Sequence, residues 1–221
     1  VCRDERSPMA RILATGLARA RAPFLEREKA VEDVAGVTSD DRWLAASRAW
    51  CTQKALDDNA EQRSALDDFV DDRDLIVGPP GGDVASMVDI CIRVRDSGKL
   101  HAVGIDPAGA ADLADALEAA SFDLTPDDGD VMGVSQSSFR LNPAVATLGR
   151  RAEDRRLLIG HTRLMSWSLG NVVATDKGHL TEISRRSISA KIDRVAALLD
   201  AASTLVLRRR KPAFDVRTLI G

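Results

Sequence analysis

The segment Leu100-His101-Ala102-Val103-Gly104-Ile105 constrains the fold more than any other part of the chain. Five of its six residues are apolar or small, and Asp106-Pro107 ends it, so it reads as a buried strand. Helical spacing flanks it on both sides. Upstream, Asp83 occupies a natural N-cap position, Val84, Met87, Val88, Cys91 and Val94 share one face, and Gly98 marks the stop. Downstream, Leu113, Ala116, Leu117 and Ala120 repeat the pattern. A buried strand between two amphipathic helices belongs to an α/β layer structure.

The other segments extend this alternation. Val34 to Thr38 and Arg42 to Trp50, joined by Ser39-Asp40-Asp41, predict an antiparallel hairpin. A polar helix follows from Asn59 to Arg73, with Leu66, Phe69 and Val70 on one face. Asp74 to Val77 is a short strand ended by Gly78-Pro79-Pro80-Gly81-Gly82, and Val131 to Val134 is another. Asn142-Pro143 predicts a helix opening, with the helix running to about Arg155. Two strand candidates, Asn171 to Thr175 and His179 to Ile183, precede a helix from about Ala190 to Val206. Its apolar stripe is Ile192, Val195, Ala196, Leu199 and Val206. The expected fold is α/β, a central mixed sheet flanked by helices, over residues 31–207. Residues 1–30, rich in Ala and Arg, read as a lead-in or an extra helix, and 208–221 as a basic tail.

With 221 residues and 44% hydrophobic content, one domain with a real core is expected. No apolar run reaches the roughly eighteen residues of a membrane span. The opening Val1-Cys2-Arg3-Asp4-Glu5 leads into no apolar h-region, so it does not read as a signal peptide. Three cysteines without a CxxC pairing argue against a disulfide framework or structural zinc and favour a reducing, cytoplasmic setting. The net charge of −3 conceals a polarised chain. Residues 51–130 hold 6 basic and 19 acidic residues, whereas 131–221 hold 16 basic and 7 acidic. The basic last third could face a polyanion.

Two acids stand out chemically. Asp106 is delivered at the carboxyl end of a buried strand, where open α/β sheets form their ligand crevice. Its bland alternative is a turn or cap role. Asp193 lies in the first turn of the last helix, where the helix dipole alone favours an acid. Two inward carboxylates at one sheet edge repel each other unless a cation lies between them, and hard oxygen ligands suit Mg²⁺ or Mn²⁺. Other motifs are weaker. The Gly78–Gly82 glycines are not GxGxxG and no GxxxxGK[ST] occurs; His161 and His179 lack partners at metal-ligand spacing. Ser135-Gln136-Ser137 has no GxSxG frame, and Trp43, Trp50 and Trp167 read as core.

The ordered segments resemble the nuclease domain of the large terminase subunit of tailed bacteriophages over roughly residues 36–205. The resemblance rests on Val103-Gly104-Ile105-Asp106-Pro107 before a helix, and on Gly133-Val134-Ser135-Gln136 followed by Leu141-Asn142-Pro143-Ala144. It continues through Leu157-Leu158-Ile159-Gly160-His161, Leu164-Met165-Ser166-Trp167, Gly170-Asn171-Val172-Val173 and Lys191-Ile192-Asp193. It implies an RNase H-like fold, a two-metal Mg²⁺ or Mn²⁺ site, and endonucleolytic cutting of viral double-stranded DNA in the bacterial host during packaging. Asp106 matches the family's middle acid and Asp193 its last. The implied partners are double-stranded DNA, the portal protein, the small terminase subunit and an ATPase domain, which in the family precedes the nuclease. The family's first acid lies in a Gly-x-Asp setting on a strand upstream of the hairpin. That register falls near Phe24, where no such setting exists, and Glu26, Glu28, Glu32 and Asp33 are the nearby acids. Two other functions fit the same segments: a catalytically degenerate remnant that binds DNA or packaging proteins, and an unrelated small-molecule-binding α/β protein.

Overall fold

A computed structural model of the chain describes residues 12–19, 29–38, 40–126 and 128–208. Its main sheet is assembled around β5 (Leu100–Ile105). On one side β5 pairs in parallel with β6 (Val131–Gly133), and on the other with β1 (Ile12–Arg19). From β1 the sheet continues through β2 (Lys29–Val37) and β3 (Trp43–Cys51), both pairings antiparallel. The outer edge of β3 is shared: Trp43 to Ala45 pair with β7 (Leu157–Ile159) and Ala49 to Cys51 with β4 (Leu75–Val77), both in parallel. Only β2 runs against the other strands, so the sheet is mixed, in the order β4-β3-β2-β1-β5-β6. A separate hairpin joins β8 (Val172–Lys177) to β9 (Leu180–Arg185).

Helices cover the sheet. Strand side chains alternate between its faces, so Val103 and Ile105 pack against α3 (Gly82–Asp96) and α4 (Ala111–Ala119) through Met87, Cys91, Leu113 and Leu117. The opposite face carries α7 (Asp193–Leu207), whose residues 197–204 are all buried. Val195 and Leu199 of α7 pack with Trp43 and with Leu141 and Ala144 of α5 (Ser138–Glu153). Ala197 joins α7 to a third cluster built from Leu56 of α1 (Gln53–Asp57), Leu66 and Phe69 of α2 (Arg63–Asp71) and Leu164 of α6 (Arg163–Gly170). No described helix is long and apolar enough to cross a membrane.

Three local expectations are corrected. The segment read as a lead-in or extra helix contains β1, a central strand with partners on both sides. The expected opening Asn142-Pro143 lies inside α5, which starts at Ser138. Pro143 has no N–H to give the Phe139 carbonyl, so α5 carries one helical hydrogen bond fewer there, next to a residue that is 70% exposed. Asn142 instead accepts a 3.0 Å bond from the Thr181 N–H, fastening α5 to β9. Asp83 is not the N-cap of α3: Gly81 takes that position with φ of 78°, a left-handed conformation that suits glycine. Phe24, Glu26, Glu28 and the tail beyond Arg208 lie outside the described residues.

Candidate active site

The crevice forms where β5 ends. Gly104 faces α7: a Cβ added there would lie 2.9 Å from both the Asp200 carbonyl oxygen and Thr204 Cγ2. The glycine thus lets the helix backbone approach the strand closely. Asp106, two residues further, follows Gly104 in the strand's alternation and is half-buried at the tip. One of its carboxylate oxygens accepts from the Ala108 N–H at 3.0 Å, holding the turn into Pro107. The turn role expected for Asp106 is therefore present, and its remaining oxygen capacity is available for other partners.

A further acid, Asp200, which sequence reasoning missed, lies on the face of α7 that meets β5. Its side chain is completely buried on α7. Burial pushes its carboxyl well above the usual carboxylate range; the Gln136 amide opposes that shift, and the negative charge of Asp106 adds to it. Gln136 Nε2 donates to Asp200 Oδ1 at 2.8 Å, while Oδ2 is buried with no hydrogen-bond partner. Gln136 reaches Asp200 because Val134 N–H donates to the Ile105 carbonyl at 2.7 Å, holding the end of β6 against the end of β5. The signal for Asp200 is present in the sequence, an acid between Leu199 and Ala201 in a helix apolar almost all round.

Asp193 sits two turns earlier, seven residues from Asp200, on the same stripe of α7 and about 10.5 Å along its axis. It lines a cleft with Trp50, Leu75, Leu164, Trp167 and Lys191. Its neighbour Arg194 is 1% exposed and locks this end of the helix in place. The guanidinium donates to Ser47 Oγ at 2.7 Å, to Thr162 Oγ1 at 2.8 Å and to the Asp74 carbonyl. Thr162 is also the N-cap of α6, accepting from the Met165 N–H at 3.0 Å.

Among the described residues no group of three or more His, Cys, Asp or Glu side chains is gathered to hold a metal ion. Two carboxylates nevertheless suit Mg²⁺, which is commonly held by one or two acids plus substrate phosphates and water. The buried Oδ2 of Asp200 is an oxygen donor of that kind without a protein partner. The first-acid register also moves. In β1, Gly16 pairs with Gly104 and Leu17 with Ile105, so the next residue, Ala18, comes level with Asp106. The sequence there reads Gly16-Leu17-Ala18, with no carboxylate. Glu32 and Asp33 pair with Leu17 and Gly16 from β2, one strand further from β5. His161 and His179 are both exposed; Trp43 and Trp50 are core.

The family model for the terminase large subunit, endonuclease domain, matches residues 81–207, more than half of the chain. The chain belongs to this family. The match spans Asp106, Asp193 and Asp200. Solved structures agree on the fold. The large terminase of bacteriophage HK97 has a TM-score of 0.70 at 18% identity over 89% of this chain. The present chain covers 40% of that protein. The large terminase nuclease of thermophilic phage G20c has a TM-score of 0.51 at 13% identity, covering 87% of this chain and 81% of that one. A second G20c nuclease structure, with bound magnesium, has a TM-score of 0.51 at 15% identity, covering 87% of this chain and 80% of that one. The fold of this terminase endonuclease domain is thus RNase H-like. No curated protein sequence matches significantly.

Proposed function

We propose that this domain is a metal-dependent endonuclease that cuts viral double-stranded DNA during genome packaging, with Asp106 and Asp193 as metal ligands. The observation that carries the reading is family membership over 81–207, the span holding both aspartates. Support for a divalent metal comes from the magnesium bound by the G20c nuclease and from hard oxygen donors at the β5 tip. A divalent cation supplies a water acidified towards neutrality and, in a two-metal arrangement, charge compensation for the departing 3′ oxygen. Asp106, steadied by the Ala108 N–H, presents its carboxylate at the edge of the sheet. Asp193 would supply the second carboxylate from the first turn of α7, whose entry Arg194 fixes. The exposed arginines of the last third, including Arg140, Arg150 and Arg186, would position the phosphate backbone. Portal protein, small terminase subunit and a packaging ATPase domain are the proposed partners.

Supercoiled plasmid incubated with the protein and Mg²⁺ or Mn²⁺ tests this. Nicking or linearisation that stops in chelator and in Asp106→Asn and Asp193→Asn supports it. Cutting unaffected by both substitutions overturns the ligand assignment. A degenerate, DNA-binding remnant is favoured by one observation, the alanine level with Asp106. It predicts plasmid binding without cutting in either metal.

A further inference from the structure

The stretch from Gln53 to Asp74 carries eight acidic and three basic residues, a net −5 against −3 for the whole chain. Two of these acids lie on the side of α2 that faces α6. Ala65, Asp68, Phe69 and Asp72 share that stripe at helical spacing, and Arg163, Ser166 and Trp167 form the opposing one. Phe69 and Trp167 meet with ring centroids 5.6 Å apart. Arg163 donates to Asp72 at 2.8 Å and to Asp68 at 3.2 Å, tying the two helices at their rim. Further in, the side chains of Ala65 and Ser166 are too short to fill the space, and an open groove of about 370 Å³ remains. Trp167, read as core from the sequence, is instead half-buried and lines this groove.

The chemistry of the groove selects a cation. An indole wall attracts positive charge through its ring face. Asp68 and Asp72 share a single guanidinium, so one of their two charges stays uncompensated, and Arg163 shows that a guanidinium matches their spacing. DNA or any other polyanion is repelled by the surrounding acids. We propose that this groove docks an arginine-bearing basic segment of a partner protein, its guanidinium against Trp167 and hydrogen-bonded to Asp68. Arginine fits better than lysine because its flat fork stacks on a ring and pairs with a carboxylate at the same time. The docking surface requires neither the metal site nor DNA cutting.

The test is fluorescence anisotropy of a fluorescein-labelled peptide with consecutive arginines in a Gly-Ser context, titrated with the full chain at low salt. Binding is expected, and Asp68→Asn with Asp72→Asn should raise the Kd about tenfold, since each exposed carboxylate contributes up to about 1 kcal/mol. Ser166→Phe keeps every charge but fills the groove, and should weaken the peptide as much. Asp89→Asn with Asp115→Asn removes two exposed acids from α3 and α4 and should leave the Kd unchanged. The matching lysine peptide should bind several-fold more weakly. Absence of peptide binding overturns the proposal. So does an equal loss in the α3 and α4 variant, which would reduce the effect to general charge attraction, and so does full affinity in Ser166→Phe. Equal affinity for the lysine peptide overturns the assignment to arginine. Sedimentation velocity separates the remaining occupant: self-association of the parent that is lost in Ser166→Phe would give the groove to a second copy of this chain and overturn the partner-protein assignment.

Discussion

Replacing Gly104 by alanine probes the junction on which the site depends. The added methyl would sit 2.9 Å from the Asp200 carbonyl oxygen, 2.9 Å from Thr204 Cγ2 and 3.2 Å from the Asp200 carbonyl carbon. Two of these three atoms are backbone, so no rotamer change relieves the clash, and α7 must move away from β5 by several tenths of an ångström. Overpacking of this kind costs about 1–3 kcal/mol. For a domain of this size that corresponds to a fall in Tm of roughly 2–12 °C. Thr204→Ser in the same chain removes one of the three contacts and should restore part of the loss. Gly149, inside α5 with open space within 4 Å of where a methyl would lie, is the internal control. There alanine should stabilise by about 0.4–1 kcal/mol, because it restricts the unfolded chain. Differential scanning calorimetry in chelator distinguishes the two. A Gly104→Ala protein that melts at or above the parent temperature would refute the close approach of α7 to β5.

Three further outcomes follow from the same geometry. Arg194→Met removes donors to Ser47, Thr162 and Asp74 and should destabilise by about 3 kcal/mol in urea unfolding; a loss below about 1 kcal/mol would mean these contacts are not maintained. Asp200 holds its proton more tightly folded than unfolded, because its folded pKa is raised. In chelator its contribution to stability is therefore fully present below the ordinary carboxylate pKa and is lost as pH rises through the folded value. Tm of the parent should fall across that range relative to Asp200→Leu, and parallel profiles would contradict the burial. DNA affinity should weaken steeply with salt, and Arg150→Ala with Arg186→Ala should flatten the log–log slope by about 1.8 if each contacts a phosphate; an unchanged slope removes both from the interface.

What can be read from the sequence, and what cannot, follows from how local each signal is. β5 is legible to the residue because six consecutive positions, five of them apolar or small, and a terminating Asp-Pro are a local pattern. The final helix and the β8–β9 hairpin are legible for similar reasons, by helical spacing and by a Gly178 turn with φ of 68°. β1 is not. Ile12 to Arg19 lacks clean alternation, and its strand character comes from partners that are distant in sequence, β5 above all. Without β1, the first-acid register falls near Phe24 instead of at Gly16-Leu17-Ala18. Asp106 is recognisable because a strand end exposes its chemistry locally. Asp200 escapes notice because an acid within a helix looks like surface until the helix is known to be buried on nearly every side. Its surroundings depend on Gln136, sixty-four residues away, and on a glycine in another element.

The most direct measurement is anomalous scattering from crystals of the domain grown with Mn²⁺. A peak is expected at metal–oxygen bonding distance from Asp106, about 2.0–2.6 Å for hard divalent cations. A well-ordered crystal saturated with Mn²⁺ whose peaks all lie away from the end of β5 would contradict a metal site there.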